Sequence, residues 1–192
     1  MPSMRDKITN DIRDSIETKE AVLKQLVPAI EKAANRIFDC IKNGNKVLFF
    51  GNGGSASDSQ HLAAEFVGRY EKERPGLASL ALTTDTSILT AVGNDYGFDR
   101  IFERQIEALG RKGDVAVGIS TSGNSKNVIL GVKKAKSLGL FTIVFSGRTG
   151  GELKSWADLS LIVPSQKTAR IQESHIMIGH ILCERVDELL EK

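Results

Sequence analysis

The stretch Gly51-Asn52-Gly53-Gly54-Ser55 constrains this chain more than any other. It follows an apolar run, Val47-Leu48-Phe49-Phe50, bounded upstream by Asn43-Gly44-Asn45. A short apolar run between turn residues predicts a buried strand. Gly51, Gly53 and Gly54 permit a sharp turn and close approach of backbone to a ligand. From Ser55 onward the pattern is helical. Strand, glycine turn and helix together aim backbone N–H groups at an anion. On the new helix His61 and Glu65 stand four apart, on one face. An imidazole beside a carboxylate can transfer a proton or hold a metal; the same spacing also serves an ordinary surface ion pair. The turn is not a dinucleotide fingerprint. Val47 to Gly76 lacks the following strand whose terminal acid would bind a ribose.

Alternation continues downstream. Leu77–Leu82, Asp114–Ile119, Phe141–Phe145 and Leu159–Val163 read as four further strands, with Pro164 ending the last. Thr83-Thr84-Asp85 supplies a helix cap, and Gly93-Asn94-Asp95-Tyr96-Gly97 reads as a loop before a helix over 98–109. A helix follows Ser125 and stops at Gly139; a short one lies near Leu153; a long one spans Arg170–Leu190. Five short strands separated by helices predict an α/β fold, a doubly wound parallel sheet. Residues 5–43 carry helical periodicity through Ile8, Ile12, Ile16, Leu23, Leu26, Val27, Ile30, Ile37, Phe38 and Ile41, and Pro28 should divide them into two helices. Their apolar content exceeds one face, so they are expected to pack on the core and on another subunit.

The chain reads as one domain, 1–192, with 1–43 a helical extension used in packing and oligomerisation. A net charge of +2 points to neither nucleic acid nor an anionic membrane. No run approaches the roughly 18 apolar residues of a membrane span, and no apolar signal core opens the chain. Two distant cysteines, Cys40 and Cys183, read as buried free thiols in a reducing compartment. The expectation is a cytoplasmic protein.

Ligands of such sheets gather beyond the carboxyl ends of the strands. Three segments there carry site-like residues: Gly51–Ser55, Gly93–Asp95 and Ser120-Thr121-Ser122-Gly123-Asn124-Ser125. Four hydroxyls and a glycine before a helix start suit a phosphate monoester, or serve only as a helix cap. No Walker lysine pattern is present. On the last helix Gln172 and His180 lie eight apart, about 80° around the axis, and can face one cavity; His175 stands about 300° from Gln172.

Taken jointly, Gly-Asn-Gly-Gly-Ser…His61-x-x-x-Glu65, Gly93-Asn94-Asp95, Ser120–Ser125 and Arg170-Ile171-Gln172-Glu173…His180 are similar to the bacterial phosphoheptose isomerases of the sugar-isomerase (SIS) domain superfamily. The resemblance covers essentially the whole chain. It implies a three-layer fold with flavodoxin-like strand order, a homotetramer, and active sites built between subunits. It implies interconversion of sedoheptulose 7-phosphate and D-glycero-D-manno-heptose 7-phosphate, the first step of heptose synthesis for lipopolysaccharide or other surface glycans. Moving a proton between C1 and C2 through an enediol needs a base and an acid near those carbons. The matching residues are Glu65 and His180. The resemblance places Ser55, Ser120, Ser122 and Ser125 on the phosphate with Thr121 in the same loop. It places Asn52, Gly53, Gly54, Asn94 and Asp95 along the sugar, and Glu65 and Gln172 in contact with substrate. It also implies zinc on His61, Glu65, Gln172 and His180, and no nucleotide cofactor. Two imidazoles and a carboxylate are ordinary zinc ligands; an amide oxygen is unusual. Some members carry an acid before the arginine matching Arg170, where this chain has Ala169.

Two other readings stand beside this one. A related fold that binds the replication initiator shares the glycine turn and the hydroxyl loop, but lacks the residues matching Glu65 and His180. A sugar-phosphate sensor would carry a DNA-binding domain, for which this chain has no room.

Overall fold

The computed structural model describes residues 2–191. Two helices come first, α1 (Met4–Gln25) and α2 (Val27–Lys42), divided at Leu26 with Pro28 in the first turn of α2. Proline lacks the N–H that would continue α1 but is tolerated where a helix begins. Ser3 opens α1 in a capping box: its Oγ accepts from Asp6 N–H at 3.1 Å, and the Asp6 carboxylate accepts from Ser3 N–H at 2.9 Å.

Strands and helices then alternate as β1 (Val47–Gly51), α3 (Gly54–Val67), β2 (Ser79–Ala81), α4 (Thr86–Tyr96), α5 (Ile101–Leu109), β3 (Val115–Ser120), α6 (Lys126–Ser137), β4 (Phe141–Gly147), β5 (Leu159–Val163) and α7 (Thr168–Leu190). All pairings are parallel, in the order β2-β1-β3-β4-β5, as the resemblance implied. β2 is shorter than the run Leu77–Leu82 suggested.

Side chains alternate across the sheet into two cores. Phe49, Val117, Ile143 and Leu161 face α2, α3 and α7, where they meet Ile37, Phe66, Ile178 and Leu182. Leu48, Phe50, Ala116 and Val144 face α5 and α6, where they meet Phe102, Ile106, Val128 and Val132. The chain leaves β1 toward the first layer and β3 toward the second. Because β1 and β3 are neighbours, a crevice opens beyond their carboxyl ends at the reversal of winding.

One segment differs from its sequence reading. Gly93–Tyr96 is not a loop but the last part of α4. Asp85 starts this helix by accepting Ile88 N–H at 2.9 Å, and the turn comes only at Gly97, with φ of 88°. α4 contains no buried residue. On α1, Ile8, Ile12, Ile16 and Leu23 are each more than half exposed, whereas α2 seats Ile30, Ala33 and Ile37 in the core.

His175 belongs to the core and not to the crevice. It is fully buried on α7, and its Nε2–H donates to the backbone oxygen of Ser146 at 3.0 Å. Burial pushes its pKa down to about 4, the Ser146 bond opposing only in part. The unfolded chain binds this proton near pH 6.5. Between pH 6.5 and 4 the unfolded state therefore holds more protons, and stability falls as pH falls. The loss should approach roughly 3 kcal/mol at pH 4. Urea unfolding of wild type and His175→Gln across this window should show a shallower pH slope in the variant; parallel curves would contradict the assignment.

Candidate functional site

The glycine turn closes the end of β1 against the end of β3. A Cβ on Gly51 would stand 2.7 Å from Ser55 Cβ and 2.8 Å from Ile119 O, so no larger residue fits. Gly53 takes φ of 55° at the start of α3, a conformation that L side chains rarely adopt. Asn52 and Asn127 then exchange two amide hydrogen bonds, at 2.8 and 2.9 Å, joining this turn to the first residues of α6. Asn127 is buried, and its Oδ1 also accepts Val128 N–H. Sequence reasoning missed this residue. Its only local signal is an asparagine in the first turn of a helix, where its short side chain can bond to backbone. A cleft of about 150 Å³ adjoins the turn, lined by Gly51, Asn52, Gly53, Thr83, Leu89 and Phe98.

The hydroxyl loop follows β3. Ser120 and Ser125 hydroxyls lie 2.9 Å apart across its mouth. Ser125 is the residue before α6, yet its side chain caps no amide of that helix. Its bond runs to Ser120 instead, so a simple capping role does not describe it. Ser122 Oγ accepts Asn124 N–H at 3.2 Å, and Thr121 and Ser122 remain half-buried. Gly123, at φ of 70°, packs so tightly that a Cβ would collide with Gly150 O. Leu153 N–H and Glu152 N–H donate to Gly123 O and Asn124 Oδ1, at 2.9 and 3.0 Å. The loop is thus braced from behind by the turn after β4, with its hydroxyls at a helix start where an anion is favoured.

The third group lies between α3 and α7. His61 Nε2 is 3.1 Å from Glu65 Oε1 and 3.5 Å from His180 Nε2. One donor atom from each of these three residues falls within 4.8 Å of the others. Two Nε2 atoms at this separation cannot both carry a proton; they can share one or face a cation. The donor set of two imidazoles and a carboxylate fits zinc. Helix packing creates the proximity: a Cβ on Gly179 would overlap Leu62, so glycine lets α7 approach α3. Tyr70 lies against His180, ring centres 5.7 Å apart. A cavity of about 440 Å³ opens beside His180, bordered by Lys19, Tyr70, Glu173, Met177 and Glu184. Asp58, one turn before His61, has its carboxyl pKa raised by burial, His61 opposing the shift.

Gln172 occupies the other end of the α3–α7 contact. Its Nε2 lies 2.5 Å from where a Gly54 Cβ would stand, beside the glycine turn. Asn94 and Asp95 are exposed on α4, and the Asn94 amide donates to the Asp95 carboxylate at 2.9 Å. Among the described residues no hydrogen bond ties either to the other site segments. The chain therefore brings together Ser120 with Ser125, Asn52 with Asn127, Gln172 with Gly54, and His61 with Glu65 and His180.

Comparison with known proteins identifies the family. The family described as SIS domain matches residues 12–147. The phosphoheptose isomerase of Aquifex aeolicus is 57% identical over 187 residues, covering 97% of this chain and 98% of its own. Two solved structures, of phosphoheptose isomerases from Neisseria gonorrhoeae and Francisella tularensis, superpose with TM-scores of 0.92 and 0.94. They are 46% and 40% identical, and each match covers 97% of this chain and all of theirs. With the same fold and relatives at this identity over nearly the whole chain, the chain belongs to the phosphoheptose isomerase family of SIS-domain proteins.

Proposed function

We propose that this aldose–ketose isomerase interconverts sedoheptulose 7-phosphate and D-glycero-D-manno-heptose 7-phosphate, with Glu65 and His180 as its acid–base pair. The observation that carries the reading is the convergence of those two side chains, from separate helices, on one point beside an open cavity. Ser55, Ser120, Thr121, Ser122 and Ser125 hold the phosphate at the helix starts. Asn52, Gly53, Gly54, Asn94, Asp95 and Gln172 line the sugar. The Glu65 carboxylate takes the proton from the carbon beside the carbonyl and returns it to the former carbonyl carbon, while the His180 imidazole moves the hydroxyl proton from one enediol oxygen to the other. The product enters heptose synthesis for lipopolysaccharide or another surface glycan, in the cytoplasm, where buried free Cys40 and Cys183 are stable.

Turnover of sedoheptulose 7-phosphate by the purified chain tests the reaction. Glu65→Gln and His180→Gln should each lower kcat by roughly 10²–10⁴-fold with the fold intact by circular dichroism. Near-native turnover in either variant would overturn the assignment of roles.

His61, Glu65 and His180 would hold zinc; Gln172, the fourth ligand that the resemblance implies, lies in this chain at the other end of the α3–α7 contact, beside Gly54. When bound there, zinc supplies Lewis acidity toward the carbonyl and enediolate oxygens. Binding requires neutral imidazoles and an ionised carboxylate, so affinity should fall as pH is lowered. His61→Ala should lose bound zinc, measured by elemental analysis, and activity together. Full activity in protein without bound metal would remove zinc from the reaction and leave His61 as the ion-pair partner of Glu65.

The active form is a homotetramer, with 1–43 as the extension that builds the interface. Exposed Ile8, Ile12, Ile16 and Leu23 support this reading. So does the length of α3. Glu65 lies eleven residues beyond Gly54, about 16 Å along the axis, so each site draws its phosphate loop and its acid–base pair from neighbouring protomers. Light scattering at micromolar concentration should return four times the protomer mass; a monomer would exclude shared sites.

A further inference from the structure

We propose that Arg74 is a positioning residue for this site. Through the last turn of α3 it sets the distance of Glu65 and His61 from His180. The inference rests on the isomerase reading above. Arg74 lies in the segment between α3 and β2 and is not one of the residues placed at the substrate or the metal.

The last carbonyls of a helix have no partner within it. In α3, Gly68 N–H satisfies Ala64 O at 2.8 Å. Arg74 takes the next two, donating from Nη2 to Glu65 O at 2.9 Å and from Nη1 to Phe66 O at 2.8 Å. Leu77 N–H also reaches Phe66 O, at 3.0 Å, folding the segment back under the helix end. A cation at this end is favoured by the helix dipole as well. The remaining donor, Nε, binds Asp187 Oδ1 on α7 at 2.7 Å. Asp187 is buried, its side chain 4% exposed, and the Arg74 side chain is 10% exposed. One guanidinium therefore bonds to the backbone of Glu65 and to the helix that carries His180. Asp187 stands two turns beyond His180 on α7.

The planar fork matters here. Arginine presents donors at fixed angles, so it fixes a direction as well as a charge. Leu62 against Gly179 holds the two helices close at mid-length, and Arg74 fixes the end of α3 that bears Glu65. The same segment supplies Tyr70, whose ring rests against His180. Both partners of the reacting pair are thus held by one short stretch that touches neither the phosphate loop nor the glycine turn.

A helix cap alone would contribute stability and nothing else. The test separates the two roles with Arg74→Lys, which keeps the charge and loses the fork, and Asp187→Asn, which releases α7. Outer partners of this kind change metal affinity or activity by roughly 10–100-fold. For Arg74→Lys, kcat on sedoheptulose 7-phosphate should fall in that range while KM stays within about twofold. Affinity for Zn²⁺ alone, by competition with a chelating dye, should fall in the same range. Arg74→Ala should regain part of both on adding ethylguanidinium. A lower melting temperature with unchanged kcat and unchanged Zn²⁺ affinity in the folded protein would overturn the proposal. If the wild-type chain fails to turn over the sugar phosphate, the isomerase reading fails, and a crystal structure of Arg74→Lys still decides this one. Displacement of Glu65 relative to His180 supports it, and unchanged spacing of His61, Glu65 and His180 overturns it.

Discussion

The arrangement depends on one close approach, that of α7 to α3. It exists because Gly179 offers no side chain to Leu62, and because Gly54 offers none to Gln172. Two helices separated by an ordinary side chain would keep His180 away from His61 and Glu65. With glycine at both contacts they lie near enough for three donor atoms to share one small volume. The apolar core beneath, with Phe66, Ile178 and Leu182 against the sheet, keeps them there.

The sheet supplies the second constraint. A reversal of winding between β1 and β3 leaves room beyond their ends, and the residues filling that room are small and polar. Gly51 lets the two strand ends touch, the Asn52–Asn127 pair joins the loops that leave them, and Gly123 seats the hydroxyl loop on Gly150. None of these contacts touches a reacting carbon. They fix where the hydroxyls and N–H groups point, which oxyanion recognition requires.

Much of this was legible in the residues. Apolar runs marked all five strands, Pro28 marked the division of the N-terminal helices, and the spacing of His61 from Glu65 marked a shared face. Gly93–Tyr96 was misread because glycine, asparagine and aspartate have loop composition. The cap at Asp85 and continuation to Gly97 outweighed that preference. His175 and His180 show why a histidine on an apolar helix is ambiguous: five residues, about 140° apart around the axis, send one into the core and the other to the cavity. Asn127 and Arg74 were illegible for another reason. The bonds that join them to other elements, Asn127 to Asn52 and Arg74 to Asp187, span 75 and 113 residues, a separation that periodicity and local spacing do not encode.

α4 deserves a different description from the rest of the molecule. It has a good cap and a clear stop, yet none of its residues is buried, and only Leu89 and Val92 lean on the second core. Elements held by so few apolar contacts open locally at a small fraction of the free energy needed to unfold the whole. Asn94 and Asp95 therefore sit on a helix that the core holds only through Leu89 and Val92. The side of the crevice that carries them rests on an α-helix with no buried residue, whereas the opposite side is built on β3, every residue of which is buried, and on the turn after β4.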